Sequence, residues 1–314
     1  MKHVTNLTPQ TTPTALALGV FDGLHLGHRA VLSTAVSAAR RCGLSPAVFT
    51  FSEHPQQVLH GAPVPALLTP ATRDTLLTNL GIEQRFIPPF HAVMQLSPQA
   101  FVQTVLHDCC NAKHIFCGFN FRFGKGGAAG AQQLAQYAAQ HDIETTIIPA
   151  ITTPQGMPVS STQIRTYLQN GQPQQAAQML GRYFSYQNPV ITGNQLGRTI
   201  GCPTANQMLS PELIVPRHGV YASLVTLPDG TQRHAVTNIG IRPTIGDSDL
   251  ATSETWLAAF SGDLYGATIT VELVSYLRPE QKFPSLAALR TQIEADKQQA
   301  LQQLTHLHPL PKMS

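Results

Sequence analysis

Two histidines, His25 and His28, follow a strand-length apolar run and a turn rich in glycine and aspartate. The stretch reads Gly19-Val20-Phe21-Asp22-Gly23-Leu24-His25-Leu26-Gly27-His28, and a helical pattern opens at its end. Gly19 and Gly23 let the backbone approach a ligand where a Cβ atom would collide with it. The free N–H groups of the helix start point back at the turn, and residues three apart share a face there. The stretch therefore predicts a binding site for phosphate oxygens.

Two other interpretations fit this stretch when it is taken alone. It can be a strand–turn–helix corner with two partly exposed histidines and no ligand. An H-x-x-H pair can also hold zinc, but no third ligand with metal-ligand spacing follows it. The rest of the chain has to distinguish between these possibilities.

Composition excludes several classes of protein. Charged residues are 12% of the 314 residues and the net charge is +3, against ~25% charged residues in typical globular proteins. Without a dense Lys/Arg run, nucleic-acid binding has little support.

No window approaches the ~18 apolar residues of a membrane span, and the polar N-terminus lacks the apolar core of a signal peptide. Five cysteines without a C-x-x-C pattern predict a reducing compartment and hence a cytoplasmic protein. Oligomerisation cannot be read from the sequence.

The elements that position the histidines alternate between strand and helix in the first half. Strands are predicted at 15–21, 47–51, 85–87, 114–118 and 145–149, and helices begin at Thr69-Pro70 and Ser97-Pro98. The helix after His28 should end at Gly43. Such alternation predicts a Rossmann-like α/β domain, a parallel sheet covered by helices with ligands at the carboxyl ends of its strands.

The pattern changes near residue 185, where β-rich sequence replaces the helical periodicity. Strands are predicted at 190–192, 220–227, 232–238, 254–260 and 268–275, with a hairpin turn at Asp229-Gly230. The helical period returns over 284–304, with one apolar side formed by Leu286, Leu289, Ile293 and Leu301. We expect two domains, 1–185 and 186–314, the second a small antiparallel β-barrel with a terminal helix.

The histidine stretch resembles the nucleotidyltransferase signature of bacterial bifunctional riboflavin kinase/FAD synthetases, G-x-F-D-G-x-H-x-G-H. The resemblance implies a catalytic role for His28. It also implies that the nucleotide and its phosphates are bound by Gly19, Phe21, Asp22, Gly23, His25 and His28.

Three further stretches of the first half resemble motifs of the same family. Thr50-Phe51-Ser52-Glu53-His54-Pro55 matches F-x-x-H-P, and Gly118-Phe119-Asn120-Phe121-Arg122-Phe123-Gly124 matches G-x-[DN]-F-x-F-G. By resemblance, His54, Asn120 and Phe123 line the flavin site. Alone, the first is a loop histidine and the second a glycine-rich surface loop with buried phenylalanines. The sequence that begins at Gly124 comes close to the Rossmann fingerprint G-x-G-x-x-G. It fails as that fingerprint, because Ala129 stands where the last glycine belongs.

The fourth stretch, Val159-Ser160-Ser161-Thr162-Gln163-Ile164-Arg165, resembles V-S-S-T-x-x-R. In the family Ser161 would bind triphosphate oxygens, and Arg165 would neutralise their charge as a catalytic group. Serines at a helix start are otherwise usually caps.

The second half carries the motifs of riboflavin kinases. Residues 197–206 resemble G-R-x-L-G-F-P-T-A-N, and residues 238–244 resemble N-I-G-x-R-P-T. Glu254 with 260–266 resembles E-x-H-L…F…G-D-L-Y-G, and Arg278 with Lys282-Phe283 matches the end of the module. The resemblance implies that Thr204 and Asn206 hold Mg²⁺ and nucleotide phosphates, that Glu254 is the catalytic base, and that Arg278 binds flavin.

Four positions depart from the family pattern, most of them in the second half. Cys202 replaces an aromatic residue, Tyr183 a proline, Thr192 a common histidine and Trp256 a histidine. Glu254 and Trp256 are two apart on a strand, so we expect them to face the same side.

The resemblance as a whole implies an enzyme with two activities. ATP and Mg²⁺ would convert riboflavin to FMN in the second domain, and a second ATP would convert FMN to FAD in the first, releasing pyrophosphate. The first alternative is an FMN adenylyltransferase with a degenerate, flavin-binding kinase domain. Another nucleotidyltransferase sharing H-x-G-H and a flavin-binding regulator are further alternatives.

Overall fold

The computed structural model describes residues 1–193, 201–242 and 250–307. The chain divides into two compact units, Met1–Val64 with Pro70–Val159 and Pro65–Thr69 with Ser160–Ser314. Of the kinase-like motifs, residues 197–200 and 243–244 lie outside the described ranges.

A six-stranded parallel sheet forms the first unit, in the order β1-β4-β3-β2-β5-β8. Its strands are β1 (Lys2–Val4), β2 (Thr14–Leu18), β3 (Ser45–Phe49), β4 (Gln84–Phe86), β5 (Ala112–Gly118) and β8 (Glu144–Ile148), and the small pair β6 (Arg122–Phe123) and β7 (Ala129–Gly130) lies apart from them. All five residues of β2 and of β3 are buried, as expected for central strands covered on both faces.

Three helix bounds of this unit, the end of the first helix at Gly43 and the starts at Pro70 and Pro98, lie where the sequence predicts them. The helices are α1 (Leu26–Cys42), α2 (Pro55–His60), α3 (Pro70–Asn79), α4 (Pro98–Ala100), which continues as a π-helix over Phe101–Cys109, and α5 (Ala131–Ala139). Gly43 ends α1 in the left-handed conformation, with φ 66°. Ser97 caps α4 by accepting a hydrogen bond from the Ala100 N–H at 3.1 Å. The expected parallel sheet with covering helices is confirmed.

Two details of this sheet differ from the sequence expectations. The first predicted strand, 15–21, ends three residues early at Leu18, because Phe21 and Gly23 adopt positive φ of 51° and 78° and form a turn. Strand β1 was not predicted, since its three residues are mostly exposed and polar; it is recognisable only through its pairing with β4.

His114, buried on β5, gives this sheet a pH dependence. Its Nε2 lies 2.8 Å from Thr146 Oγ1 and its Nδ1 lies 3.2 Å from Glu144 Oε2, both on β8. Burial lowers the pKa of His114, and Glu144 opposes this shift only in part. The unfolded chain therefore binds the proton more readily, and local stability falls as pH drops through about 6.5.

We expect β5 and β8 amides to exchange hydrogen faster at pH 5.5 than at pH 7.5, after correction for intrinsic exchange rates. A His114→Gln variant with the same pH dependence would contradict this.

The second unit contains α6 (Ser161–Gln169), α7 (Pro173–Leu180) and an antiparallel six-stranded sheet ordered β10-β13-β12-β11-β14-β9. The strands are β9 (Phe184–Pro189), β10 (Ala205–Met208), β11 (Gly219–Thr226), β12 (Gln232–Arg242), β13 (Leu250–Leu257) and β14 (Thr268–Arg278). A bridge between Ile191 and Asn206 joins the two edges, which nearly closes the barrel. The terminal helix, α8 (Leu286–Thr305), contacts β11, β12 and β14. The predicted barrel and helix are confirmed.

Part of the barrel interior is polar. The hydroxyl groups of Ser223, Thr237 and Thr255 form a buried chain with oxygen–oxygen distances of 2.7 and 3.0 Å. Gln207 donates from Nε2 to the carbonyl oxygens of Asn188 at 2.6 Å and Ile269 at 3.0 Å. These bonds give partners to buried polar groups that the alternation of strand residues places inside.

Several second-half expectations need correction. The strand predicted at 190–192 lies at 184–189, and Ile191 contributes only the isolated bridge. The strand predicted at 254–260 ends at Leu257, because Ala259 has a positive φ of 49°. Strand β10 was missed, being only four residues long.

The apolar side predicted for the terminal helix needs correction, because Leu289, Ile293 and Leu301 are only half-buried. Leu286 is 58% exposed, whereas the buried residues of α8 are Asp296, Lys297, Ala300 and Leu304. Charged residues occupy the buried side because each has a partner on the barrel, as described below. No helix in the described ranges is long and apolar enough to cross a membrane.

Candidate active sites

The first three motifs of the first unit come together at one edge of its sheet. They follow β2, β3 and β5, which are adjacent and parallel in the order β3-β2-β5. Since the carboxyl ends of parallel strands meet at the same edge, the topology assembles the histidine stretch, the His54 loop and the Asn120 loop there.

The turn after β2 is fixed by its own residues. A Cβ atom on Gly19 would lie 3.0 Å from Cζ of the Phe21 ring, so a side chain there would force the ring to move. Phe21 is fully buried, and the Thr50 hydroxyl donates to the Val20 carbonyl oxygen at 2.8 Å. The turn therefore holds the backbone next to the helix start in one conformation.

His25 and His28 stack at the N-terminus of α1. Their ring centroids are 3.6 Å apart with an interplanar angle of 15°, and the Phe21 ring meets His28 edge-on at 5.4 Å. His25 caps the helix, because its Nδ1 accepts a hydrogen bond from the His28 N–H at 3.2 Å. With Nδ1 as acceptor, the proton of a neutral His25 is on Nε2, which leaves that atom a donor. Imidazole donors at a helix N-terminus can bind phosphate oxygens.

Asp22 brings a buried carboxylate to the same turn. Beside it lies Arg73, which sequence analysis missed. Asp22 is 3% exposed, and its Oδ1 is 3.8 Å from a terminal nitrogen of Arg73 on α3. Arg73 therefore offsets a negative charge that would otherwise repel phosphates. Nothing in the local sequence of Arg73 indicates this contact, because the two residues are joined only by the fold.

The candidate flavin residues of this unit have different surroundings. His54 is half-buried and caps α2, its Nδ1 accepting from the Gln56 N–H at 3.2 Å. Asn120 is exposed, whereas Phe123 is 6% exposed and packs against Phe101. The exposed ring of that loop is Phe119, at 55%. The assignment of His54, Asn120 and Phe123 to flavin stays a prediction.

Ser161 and Arg165 belong to the second unit. The cap of α6 is Ser160, whose Oγ accepts from the Gln163 N–H at 3.2 Å, and Ser161 is the first residue of the helix. The Arg165 Nε donates to the Pro65 carbonyl oxygen at 2.8 Å. Their roles toward triphosphate stay predictions.

In the barrel, three polar residues form a row across neighbouring strands. Asn206 of β10 lies opposite Glu254 of β13, and Glu254 lies opposite Asn238 of β12. All three are outside the buried interior, and Glu254 is exposed. Asn238 donates from Nδ2 to Glu280 Oε1 at 3.0 Å, which brings a second carboxylate to the row. Sequence analysis singled out neither Asn238 nor Glu280 as a site residue.

Thr204 and Asn206 place side-chain oxygen atoms next to this row. The Asn206 Nδ2 lies 3.2 Å from the Thr204 carbonyl oxygen and 3.5 Å from its hydroxyl. Its amide is so close to Gly193 that a Cβ atom there would lie 2.4 Å from the amide oxygen. The Thr204 oxygen atoms and Gly193 thus both limit the orientation of the Asn206 amide group.

Arg278 forms an ion pair with Asp296 of the terminal helix. Its Nε lies 2.9 Å from Asp296 Oδ1 and its terminal nitrogen lies 2.7 Å from Oδ2, a two-bond ion pair. The Phe283 ring lies 5.7 Å from the guanidinium carbon. Arg278 therefore joins the end of β14 to α8, and its assignment to flavin stays a prediction.

Glu254 and Trp256 lie on the outer side of β13, while Thr255 between them is fully buried. The expectation that they share a side is confirmed. Trp256 is half-buried, and Lys297 of α8 lies over its ring.

Two family models match this chain, and they follow each other in the same order as the two sets of motifs. A family model described as FAD synthetase matches residues 7–163, and one described as riboflavin kinase matches residues 180–304. The second match includes Cys202, Trp256 and the other second-half departures.

Curated relatives match almost end to end. A protein of Bacillus subtilis named bifunctional riboflavin kinase/FMN adenylyltransferase is 35% identical over 97% of this chain and 98% of its own length. Proteins of the same name from Pseudomonas fluorescens and Escherichia coli K12 are 34% and 33% identical, over 93% and 90% of both chains. A crystal structure from Streptococcus pneumoniae, titled a macrolide-efflux protein, superposes with a TM-score of 0.86 at 30% identity, covering 96% of this chain and 100% of that one.

Proposed function

Because the chain belongs to the family of bifunctional riboflavin kinase/FMN adenylyltransferases, we propose that it makes FMN from riboflavin and then FAD from FMN, using ATP for each step. The observation that carries this proposal is the presence of both matched domains in one chain. The comparisons give no support to a degenerate kinase domain. They also disfavour the other nucleotidyltransferases, since the chain includes the kinase match.

In the kinase unit, the riboflavin 5′-hydroxyl attacks the γ-phosphorus of ATP, and ADP leaves. Glu254 is the candidate base, because it is exposed and lies between Asn206 and Asn238 in the row. A carboxylate in reach of the hydroxyl accepts its proton as the phosphorus–oxygen bond forms. Asn206 and Thr204 orient the phosphates, so catalysis rests on positioning and charge stabilisation.

The donor set beside the row fits Mg²⁺. Thr204 and Asn206 offer a hydroxyl and an amide oxygen, which are ligands of hard cations. Within the described ranges no three His, Cys, Asp or Glu side chains form a metal cluster. When bound, Mg²⁺ would neutralise charge on the transferring phosphoryl group.

In the first unit, the FMN phosphate attacks the α-phosphorus of ATP and pyrophosphate leaves. His25 and His28 donate to phosphate oxygens from the start of α1, and Gly19, Phe21, Asp22 and Gly23 shape the turn beside them. Ser161 and Arg165 belong to the second unit, and their assignment to the triphosphate of this reaction rests on the V-S-S-T-x-x-R resemblance. No covalent intermediate is needed, so the residues act by position and charge.

Chromatography of the flavins tests the proposal. We expect riboflavin with ATP and Mg²⁺ to yield first FMN and then FAD, and excess EDTA to stop both steps until Mg²⁺ is restored. Riboflavin that stays unchanged while added FMN becomes FAD would show a degenerate kinase, the main alternative. The protein is proposed to act in the cytoplasm, on small molecules rather than nucleic acid.

We also expect residues 160–314 to fold alone and to phosphorylate riboflavin, and residues 186–314 to be less stable. The shorter fragment lacks α7, which contacts β9 and β14, and it lacks Leu180 and Phe184, which are 1% and 2% exposed. Each such side chain contributes roughly 1.5–3 kcal/mol when buried. Thermal unfolding of both fragments by circular dichroism decides the domain boundary. Equal midpoints would favour the boundary at 185.

A further inference from the structure

Two departures from the kinase motifs, Cys202 and Trp256, meet at one ammonium group. Lys297 Nζ lies 3.0 Å from Cys202 Sγ, 2.7 Å from Glu294 Oε1 and 4.5 Å from the centroid of the Trp256 ring. Lys297 is 8% exposed and Cys202 is 4% exposed. We call these four residues the Lys297 cluster.

The contacts of Lys297 offset the free-energy cost of burying its positive charge. An ammonium group leaves water only when its donors and charge find partners. Burial opposes the charge, but the hydrogen bonds to Glu294 and Cys202 outweigh it and raise the pKa of Lys297 above its ordinary value. The aromatic face adds a cation–π contact, for which indole is the best ring. Lys297 is therefore charged at neutral pH and held from three directions.

The partners of Lys297 lie beside the candidate catalytic groups. Cys202 precedes Thr204 by two residues, in a loop that leads directly into β10 and Asn206. Trp256 follows Glu254 by two residues on the same side of β13. One side chain of α8 thus contacts both the segment that carries the proposed phosphate ligands and the strand that carries the proposed base.

We propose that Lys297 is a positioning residue of the kinase, which fixes the Thr204 loop against β13 through Cys202 and Trp256. This inference rests on the proposed function of that unit. In this cluster the small Cys202 thiol leaves room for the ammonium group, and the Trp256 indole lies against it.

The test compares Lys297→Met with Gln298→Met, which places the same side chain at the exposed neighbouring position of α8. We expect Lys297→Met to raise the KM for Mg-ATP and lower kcat in riboflavin phosphorylation, by about ten- to a hundredfold in kcat/KM. FMN adenylylation in the same preparation should change less than twofold. Lys297→Arg, which keeps the charge, should recover part of the loss.

Trp256 gives a readout that does not depend on activity, because it is the only tryptophan of the chain. Its fluorescence should change in Lys297→Met and stay as in wild type in Gln298→Met. Unchanged fluorescence in Lys297→Met would overturn the cluster itself. Changed fluorescence with kinase kinetics equal to those of Gln298→Met would reduce Lys297 to a purely structural residue. A wild type that fails to phosphorylate riboflavin would instead overturn the proposed function.

Discussion

We expect the Glu254→Gln variant to lose riboflavin phosphorylation, by about 10²–10⁴-fold in kcat, and to convert FMN to FAD at the wild-type rate. The amide keeps the size of the side chain but cannot accept the 5′-hydroxyl proton. Because Glu254 is exposed on β13, the substitution should not disturb the barrel interior. Rates of FMN formation from riboflavin and of FAD formation from FMN are measured separately.

Glu212→Gln is the matched control, an exposed carboxylate of the same unit that lies outside the row. It should retain both activities. If Glu254→Gln phosphorylated riboflavin as fast as wild type, the base would have to be sought elsewhere in the row. Glu280, hydrogen-bonded to Asn238, would then be the next residue to replace.

The second large effect is expected at His28. His28→Ala should lower FAD formation from FMN by about 10²–10³-fold, the usual cost of losing one donor to transition-state charge. Riboflavin phosphorylation should continue, since no first-half motif belongs to the kinase. The substitution also removes the ring stacked on His25 at 3.6 Å, so circular dichroism must show that the helix remains.

His91→Ala, at an exposed histidine of the same unit, controls for the loss of an imidazole as such. His28→Asn restores a side-chain donor and should recover part of the activity. A His28→Ala variant that makes FAD normally would mean that the phosphate site at the start of α1 is misassigned.

Local signals predicted those parts of the structure that depend on neighbouring residues. The glycines around Phe21, the Ser97-Pro98 start and the Gly43 end each act through the backbone conformation of their own turn, so their effects can be read from the sequence. Strand alternation likewise placed Glu254 and Trp256 on one side. The expected parallel sheet also predicted that the motifs lie at the carboxyl ends of its strands, whereas the order β3-β2-β5 came only from the structure.

Contacts between distant residues were not predictable in this way. Arg73 meets Asp22 only because α3 returns to the first turn. The terminal helix buries Asp296 and Lys297 beside Ala300 and Leu304, because Arg278 and Cys202 are their partners on the barrel. A hydrophobic period cannot reveal a buried ion pair, since it counts charged residues as exposed. For the same reason the environment of Trp256 became clear only from the fold.

The central claim is that one chain carries out two different transfers from ATP at two sites, and labelled ATP tests it most directly. With ATP labelled at the γ-phosphorus, the label should enter FMN and remain in the FAD made from it. With ATP labelled at the α-phosphorus, the label should enter FAD and never FMN. Label from the α-phosphorus in FMN, or FAD formed from FMN without that label, would contradict the account.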